Sequence, residues 1–112
     1  MTRSSTILAA GAAAALAAAL AVPAQAGSSV RTVAVKDDVF GPRTLTIPRG
    51  ATVRWAWKGH APHNVTVTKG PVKFRSSTKT SGRFTRTLTR KGTYTIICTI
   101  HQPGMKMTLK VS

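Results

Sequence analysis

The sequence predicts an all-β fold, a β-sandwich of about seven to eight strands, preceded by a secretory leader. Three observations carry this. From Val30 onward apolar and polar residues alternate in short runs, the half-buried strand pattern. Turn-forming residues interrupt those runs about every eight to twelve positions, the spacing of a sandwich. No segment sustains the i, i+3, i+4 apolar spacing of a helix.

The first element is the leader, Met1 to Ala26. It has an early basic residue (Arg3), an apolar Ala/Leu run from Ile7 to Val22, and Ala24-Gln25-Ala26 as a small-x-small cleavage site. That run falls short of the roughly 20 apolar residues that a spanning helix needs. Cleavage leaves Gly27 to Ser112 as one exported domain, periplasmic, extracellular or associated with the cell envelope, with no transmembrane span. No cysteine adjoins the cleavage point to take a lipid.

Seven runs then read as strands: Val30 to Lys36, Arg43 to Ile47, Thr52 to Trp57, Asn64 to Thr68, Arg83 to Thr89, Thr93 to Cys98 and Met105 to Val111. Gly41-Pro42, Pro48-Arg49-Gly50, Gly59, Gly70-Pro71, Arg90-Lys91-Gly92 and Pro103-Gly104 separate them. The Ser/Thr/Lys tract from Arg75 to Gly82 reads as an exposed loop with little structure of its own.

Composition restricts the function. Much of the apolar content lies in the leader, so the mature domain is small and apolar-poor, and a domain of that kind needs a staple. Its lone cysteine, Cys98, cannot form an internal disulfide, which makes a bound metal the better candidate. Seventeen Lys and Arg oppose only Asp37 and Asp38, a formal net charge of +15, and of the basic residues only Arg3 lies in the leader. The basic residues are scattered, and such a field attracts an acidic redox partner protein or an anionic cell-surface component, with docking that is transient and salt-sensitive. Nucleic acid is disfavoured: most of the aromatic residues fall at core-like positions, no groove-reading motif is present, and the domain is expected to be exported.

Strand parity brings chemistry together. Tyr94, Ile96 and Cys98 share one face, as do Met105, Met107, Leu109 and Val111. Cys98 therefore leaves its strand on the buried side. Pro103-Gly104 suits the middle of a type II turn that folds Met105 back toward Cys98 and His101. A thiolate, an imidazole and a thioether in one loop can wrap a single ion, and His63, just ahead of Val65 and Val67, is placed to add a second imidazole. Two His, one Cys and a weak Met form the donor set of a blue copper site serving Cu(I) and Cu(II). Zinc fits less well, because thioether is a poor zinc ligand and structural zinc sites usually pair cysteines. A hydrolase built on Cys98 and His101 lacks an Asn/Asp orienter and an oxyanion motif, so no catalytic residue is assigned.

The mature chain resembles a small cupredoxin of the plastocyanin, amicyanin and pseudoazurin kind. Phe40-Gly41-Pro42 and Leu45 to Trp55, His63-Asn64-Val65-Thr66, and Gly92 to His101 carry the resemblance, which covers nearly all of Val30 to Val111. It implies a Greek-key sandwich in which His63, Cys98 and His101 are equatorial copper ligands and Met105 is axial. Met107 is the rival axial residue, but its parity with Leu109 points to core. Asn64 would tie the two ligand loops together. The ligand loop, His101-Gln102-Pro103-Gly104-Met105, is longer by one residue than the amicyanin-like His-Pro-Gly-Met form. By the same resemblance the protein is a monomeric, non-enzymatic carrier of single electrons. Transfer would pass through the His101 edge, within an apolar patch of Pro42, Ala61, Pro62 and Pro103. His60 reads as an exposed loop residue. Copper carriage or storage with the same ligands is the alternative.

Overall fold

The computed structural model describes residues 29–112, and the leader assigned to residues 1–26 lies outside the described residues. Eight strands form: β1 (Val30–Lys36), β2 (Val39–Gly41), β3 (Thr44–Ile47), β4 (Thr52–Trp57), β5 (Thr66–Lys69), β6 (Arg83–Thr87), β7 (Gly92–Ile97) and β8 (Lys106–Val111). No helix occurs among the described residues. One sheet has the order β2-β1-β4-β6 and the other β3-β8-β7-β5. The chain changes sheet after each element from β2 to β6, which produces the parallel pairs β1/β4 and β3/β8 within otherwise antiparallel sheets. This is the all-β sandwich that the alternation predicts, with the Greek-key topology that the resemblance implies.

The core follows from the pleat. In β4, Val53, Trp55 and Trp57 point inward while Thr52, Arg54 and Ala56 point outward. Register places Val33 and Phe84 beside Trp55 on the inner face of the first sheet. It pairs Tyr94 with Leu109 and Ile96 with Met107 on the inner face of the second. Phe74 bridges the aromatic set, its ring centroid 6.0 Å from Trp55 and 6.3 Å from Tyr94. Arg86, an inward position at the sheet edge, places its guanidinium carbon over the Phe74 ring, 4.8 Å from the centroid, a cation–π contact.

Three expectations need correction. Val39–Gly41 forms an extra strand, because Asp37-Asp38 makes a two-residue hairpin (Lys36 pairs with Val39) with Asp38 at φ 68°. The tract 75–82 is not an unstructured loop: Ser76 is buried, its hydroxyl accepts from Val65 N at 2.9 Å, and Lys79 exchanges both backbone hydrogen bonds with His63 at 3.0 Å. Its polar side chains hide this role, since backbone groups make most of the contacts. Pro103-Gly104 does not form a type II turn either, as Gly104 has no positive φ. Met105 N instead donates to His101 O at 3.1 Å, closing a five-residue turn.

Candidate metal centre

Two loops at one end of the sandwich supply the cluster. The first follows β4, where Asp37 folds the segment 59–63 around itself. Asp37 Oδ1 and Oδ2 accept from His60 N at 3.0 Å each, and Oδ1 accepts from Ala61 N at 2.9 Å. Those two amides, His60 first, and then the hydrogen bond from His63 pull the Asp37 carboxyl from 3.8 down to about 2. Gly59 permits this cradle, because a Cβ there would collide with the Asp37 carboxylate. His63 then enters the interior fully buried, pinned by its two backbone bonds to Lys79.

The second loop is the β7–β8 connection. Cys98 N donates to Met105 O at 3.1 Å and His101 N to Cys98 O at 3.3 Å, so Cys98, His101 and Met105 are fixed to one compact turn. Cys98 and Met105 are buried, whereas the His101 side chain is 26% exposed.

These loops bring His63, Cys98 and His101 together, with their ligand atoms all within 4.8 Å of one another. The His63 and His101 Nδ1 atoms are 3.1 Å apart, and Cys98 Sγ lies 3.5 Å from His101 Nδ1 and 3.9 Å from His63 Nδ1. The outer nitrogens explain the orientation. His63 Nε2 donates to Asp37 Oδ1 at 3.0 Å, and His101 Nε2 is 3.3 Å from Asp38 Oδ1. A carboxylate at Nε2 holds the proton there and leaves Nδ1 with a free electron pair. Two such nitrogens and a sulfur converging on one point form a donor set suited to a soft cation, and these residues fit copper.

Two other sequence assignments are placed by the same contacts. Asn64 is buried and spans the loops: its Nδ2 donates to Thr99 Oγ1 at 2.8 Å and Thr78 Oγ1 at 3.2 Å, and its Oδ1 accepts from Thr66 Oγ1 at 2.7 Å and Thr99 N at 3.2 Å. The sulfur of Met107 is engaged elsewhere, accepting from Trp55 Nε1 at 3.5 Å in the core. Of the presumed surface patch, Pro42, Pro62 and Pro103 are exposed and Ala61 is half-buried. His60 is exposed as read, but its backbone amide helps hold Asp37.

The carboxylates were missed by sequence reading. Asp37 and Asp38 registered only as the minority charge, although an acidic pair between two short alternating runs is a hairpin signal. Ile100, 49% exposed and next to His101, was also overlooked.

Comparison with known proteins agrees with this geometry. Residues 28–112 match the family model described as copper binding proteins, plastocyanin/azurin family. Among solved structures, a copper-containing nitrite reductase (NirK) from Thermus scotoductus SA-01 superposes with a TM-score of 0.67 at 30% identity over 73% of this chain. This chain spans only 22% of that protein's length. Oxidised amicyanin carrying a proline-to-glycine substitution matches with a TM-score of 0.65 at 26% identity, over 74% of this chain and 82% of its own. A purple cupredoxin from Nitrosopumilus maritimus matches in fold with a TM-score of 0.66 at 23% identity, over 73% and 99% of the two chains. With its sandwich, its His-Cys-His cluster and a family match across the whole described domain, the chain belongs to the plastocyanin/azurin family of copper-binding proteins.

Proposed function

We propose that this protein is an exported type 1 copper protein that carries single electrons between redox partners. His63, Cys98 and His101 would hold the copper, with Met105 as a fourth, weaker ligand. The observation that carries the reading is the convergence of Nδ1, Nδ1 and Sγ within 4.8 Å, with both outer imidazole nitrogens against carboxylates. Copper, when bound, supplies a one-electron couple, and the chain supplies a nearly fixed frame around it.

That frame suits fast transfer. His63 is held by Lys79 and Asp37, Cys98 by the turn to Met105, and the two ligand loops by Asn64. Side chains that are fixed before electron transfer have little to rearrange during it, which lowers its barrier. His101 is the one partly exposed member of the cluster, so its ring is the route to a partner, flanked by Pro42, Pro62, Pro103 and Ile100.

The same reading assigns no enzymatic activity. The nitrite reductase likeness covers one domain's worth of a chain several times longer, and this chain's residues form an electron-transfer centre. The mature domain runs from residue 27 to 112 after removal of residues 1–26, acts outside the cytoplasm, and is monomeric. No helix among the described residues is long and apolar enough to cross a membrane. Its partners are acidic, since every Lys and Arg among the described residues lies beyond ion-pair distance of a carboxylate.

The alternative of copper carriage or storage is separated by one comparison. The purified copper-loaded protein is assayed for electron self-exchange and for copper release to a competing chelator. An electron carrier exchanges electrons rapidly and retains its copper; rapid loss to the chelator with slow self-exchange would overturn the proposal in favour of carriage.

A further inference from the structure

A cavity of about 390 Å³ lies on the outward face of the first sheet. Thr32, Arg54, Ala56, Trp57, Lys58 and Arg83 are among the residues lining it. Register explains it. Arg54 and Ala56 are consecutive outward positions of β4, Thr32 lies opposite Arg54 on β1, and Arg83 lies opposite Ala56 on β6. The short side chain of Ala56 forms a floor, and long cationic side chains wall it in.

Charge alone makes this arrangement unfavourable, because like charges crowded on neighbouring strands repel. No carboxylate relieves it: the two ion pairs found among the described residues both use histidine and lie at the metal centre. The guanidinium groups of Arg54 and Arg83 and the Lys58 ammonium supply the cavity's donors. A cavity with several donors, three cations and no acidic group calls for a ligand that only accepts hydrogen bonds and carries more than one negative charge.

We propose that the Arg54/Lys58/Arg83 cavity is a binding site for a phosphate group, free or on a lipid headgroup. Arginine supplies the planar paired donors that match tetrahedral oxyanions, and Lys58 adds a point charge. The volume exceeds that of several waters, at about 30 Å³ each, and accommodates a phosphate with its first substituent. The site is independent of the metal reading, since none of its lining residues is a proposed ligand.

The test is an amide-resolved NMR titration of the purified protein with inorganic phosphate at constant ionic strength, so that screening does not change. Saturable shifts centred on Arg54, Ala56, Gly82 and Arg83 are expected. Arg54→Gln/Arg83→Gln should weaken binding about tenfold or more, as expected for the loss of two charge-assisted bonds. Arg90→Gln/Lys91→Gln, which removes the same charge at exposed positions elsewhere, should change it less than about twofold, the effect of diffuse field alone. Lys58→Gln, on an exposed side chain, serves if the double arginine variant does not fold.

A parallel arm measures sedimentation with vesicles containing phosphatidic acid, whose phosphate monoester can carry a second negative charge, against phosphatidylcholine vesicles. Retention by the anionic vesicles that disappears with the cavity variant identifies the headgroup as the source, and phosphate binding without vesicle retention identifies the free ion. Equal weakening by both double variants, shifts spread evenly over the basic surface, or binding of neither probe would overturn the proposal.

Discussion

Asp37 Oδ1 receives the Nε2 proton of His63 at 3.0 Å while the opposite nitrogen of that ring faces His101 Nδ1 at 3.1 Å. One carboxylate thus selects the tautomer of a buried imidazole and aims its electron pair into the cluster. Asp37→Asn keeps the shape but removes the charge. It should weaken copper binding about 10- to 100-fold, the usual effect of losing a group that orients a metal ligand. It should also raise the reduction potential, since the oxidised ion loses a nearby negative charge. Chelator competition and voltammetry check the two outcomes.

The same carboxylate gives a pH dependence whose sign is fixed. Its folded-state pKa of about 2 lies below the ordinary 3.8, chiefly because the His60 and Ala61 amides stabilise the charged form. The unfolded chain therefore binds the proton more readily, and acid favours unfolding. The contribution of Asp37 is complete above about pH 5 and fades as pH falls through 3.8 toward 2. Denaturation of the metal-free protein followed against pH should show this loss, and Asp37→Asn should flatten it across that window.

The two methionines should separate cleanly. Met105→Leu is expected to keep the visible colour of the copper protein and raise its potential, because a weak sulfur ligand is lost while the equatorial set stays. Met107→Leu should leave the spectrum unchanged and cost about 1–3 kcal/mol of stability, through a slightly changed core shape and an indole N–H of Trp55 left without its acceptor. Reversal of these results would make Met107 the axial ligand.

Asn64→Ala removes a side chain that makes four hydrogen bonds, two of them to Thr99 across the two ligand loops. A loss of about 2–4 kcal/mol is expected, larger than for a surface polar residue because Thr99 N is left without this acceptor near a buried centre. Chemical denaturation of the metal-free protein measures it apart from any change in copper affinity.

Sequence and structure agree most where side-chain alternation is strict. β4 carries the inward series Val53-Trp55-Trp57, and β7 carries Tyr94-Ile96, continued by Cys98 just past its end, so the period alone assigns their buried faces. Met105 is expected near Cys98 through a type II turn at Pro103-Gly104; the two are instead joined by the hydrogen bond from Cys98 N to Met105 O and the turn that Met105 N closes on His101 O. Positions set by backbone hydrogen bonds left no such mark. β2 is only three residues long, and Lys79, a polar residue in a polar tract, pins His63 with its amide and carbonyl. Asp37 and Asp38 act across the fold, so their role at His63 and His101 depends on a hairpin geometry that composition does not display.

The central claim, that His63, Cys98 and His101 enclose one copper ion, is tested most directly by the visible and electron-paramagnetic-resonance spectra of the copper-loaded protein beside Cys98→Ser. An intense thiolate-to-copper absorption with a narrow copper hyperfine splitting, both lost in Cys98→Ser, is the result predicted. A colourless Cu(II) complex, or a spectrum that Cys98→Ser leaves intact, would contradict the account.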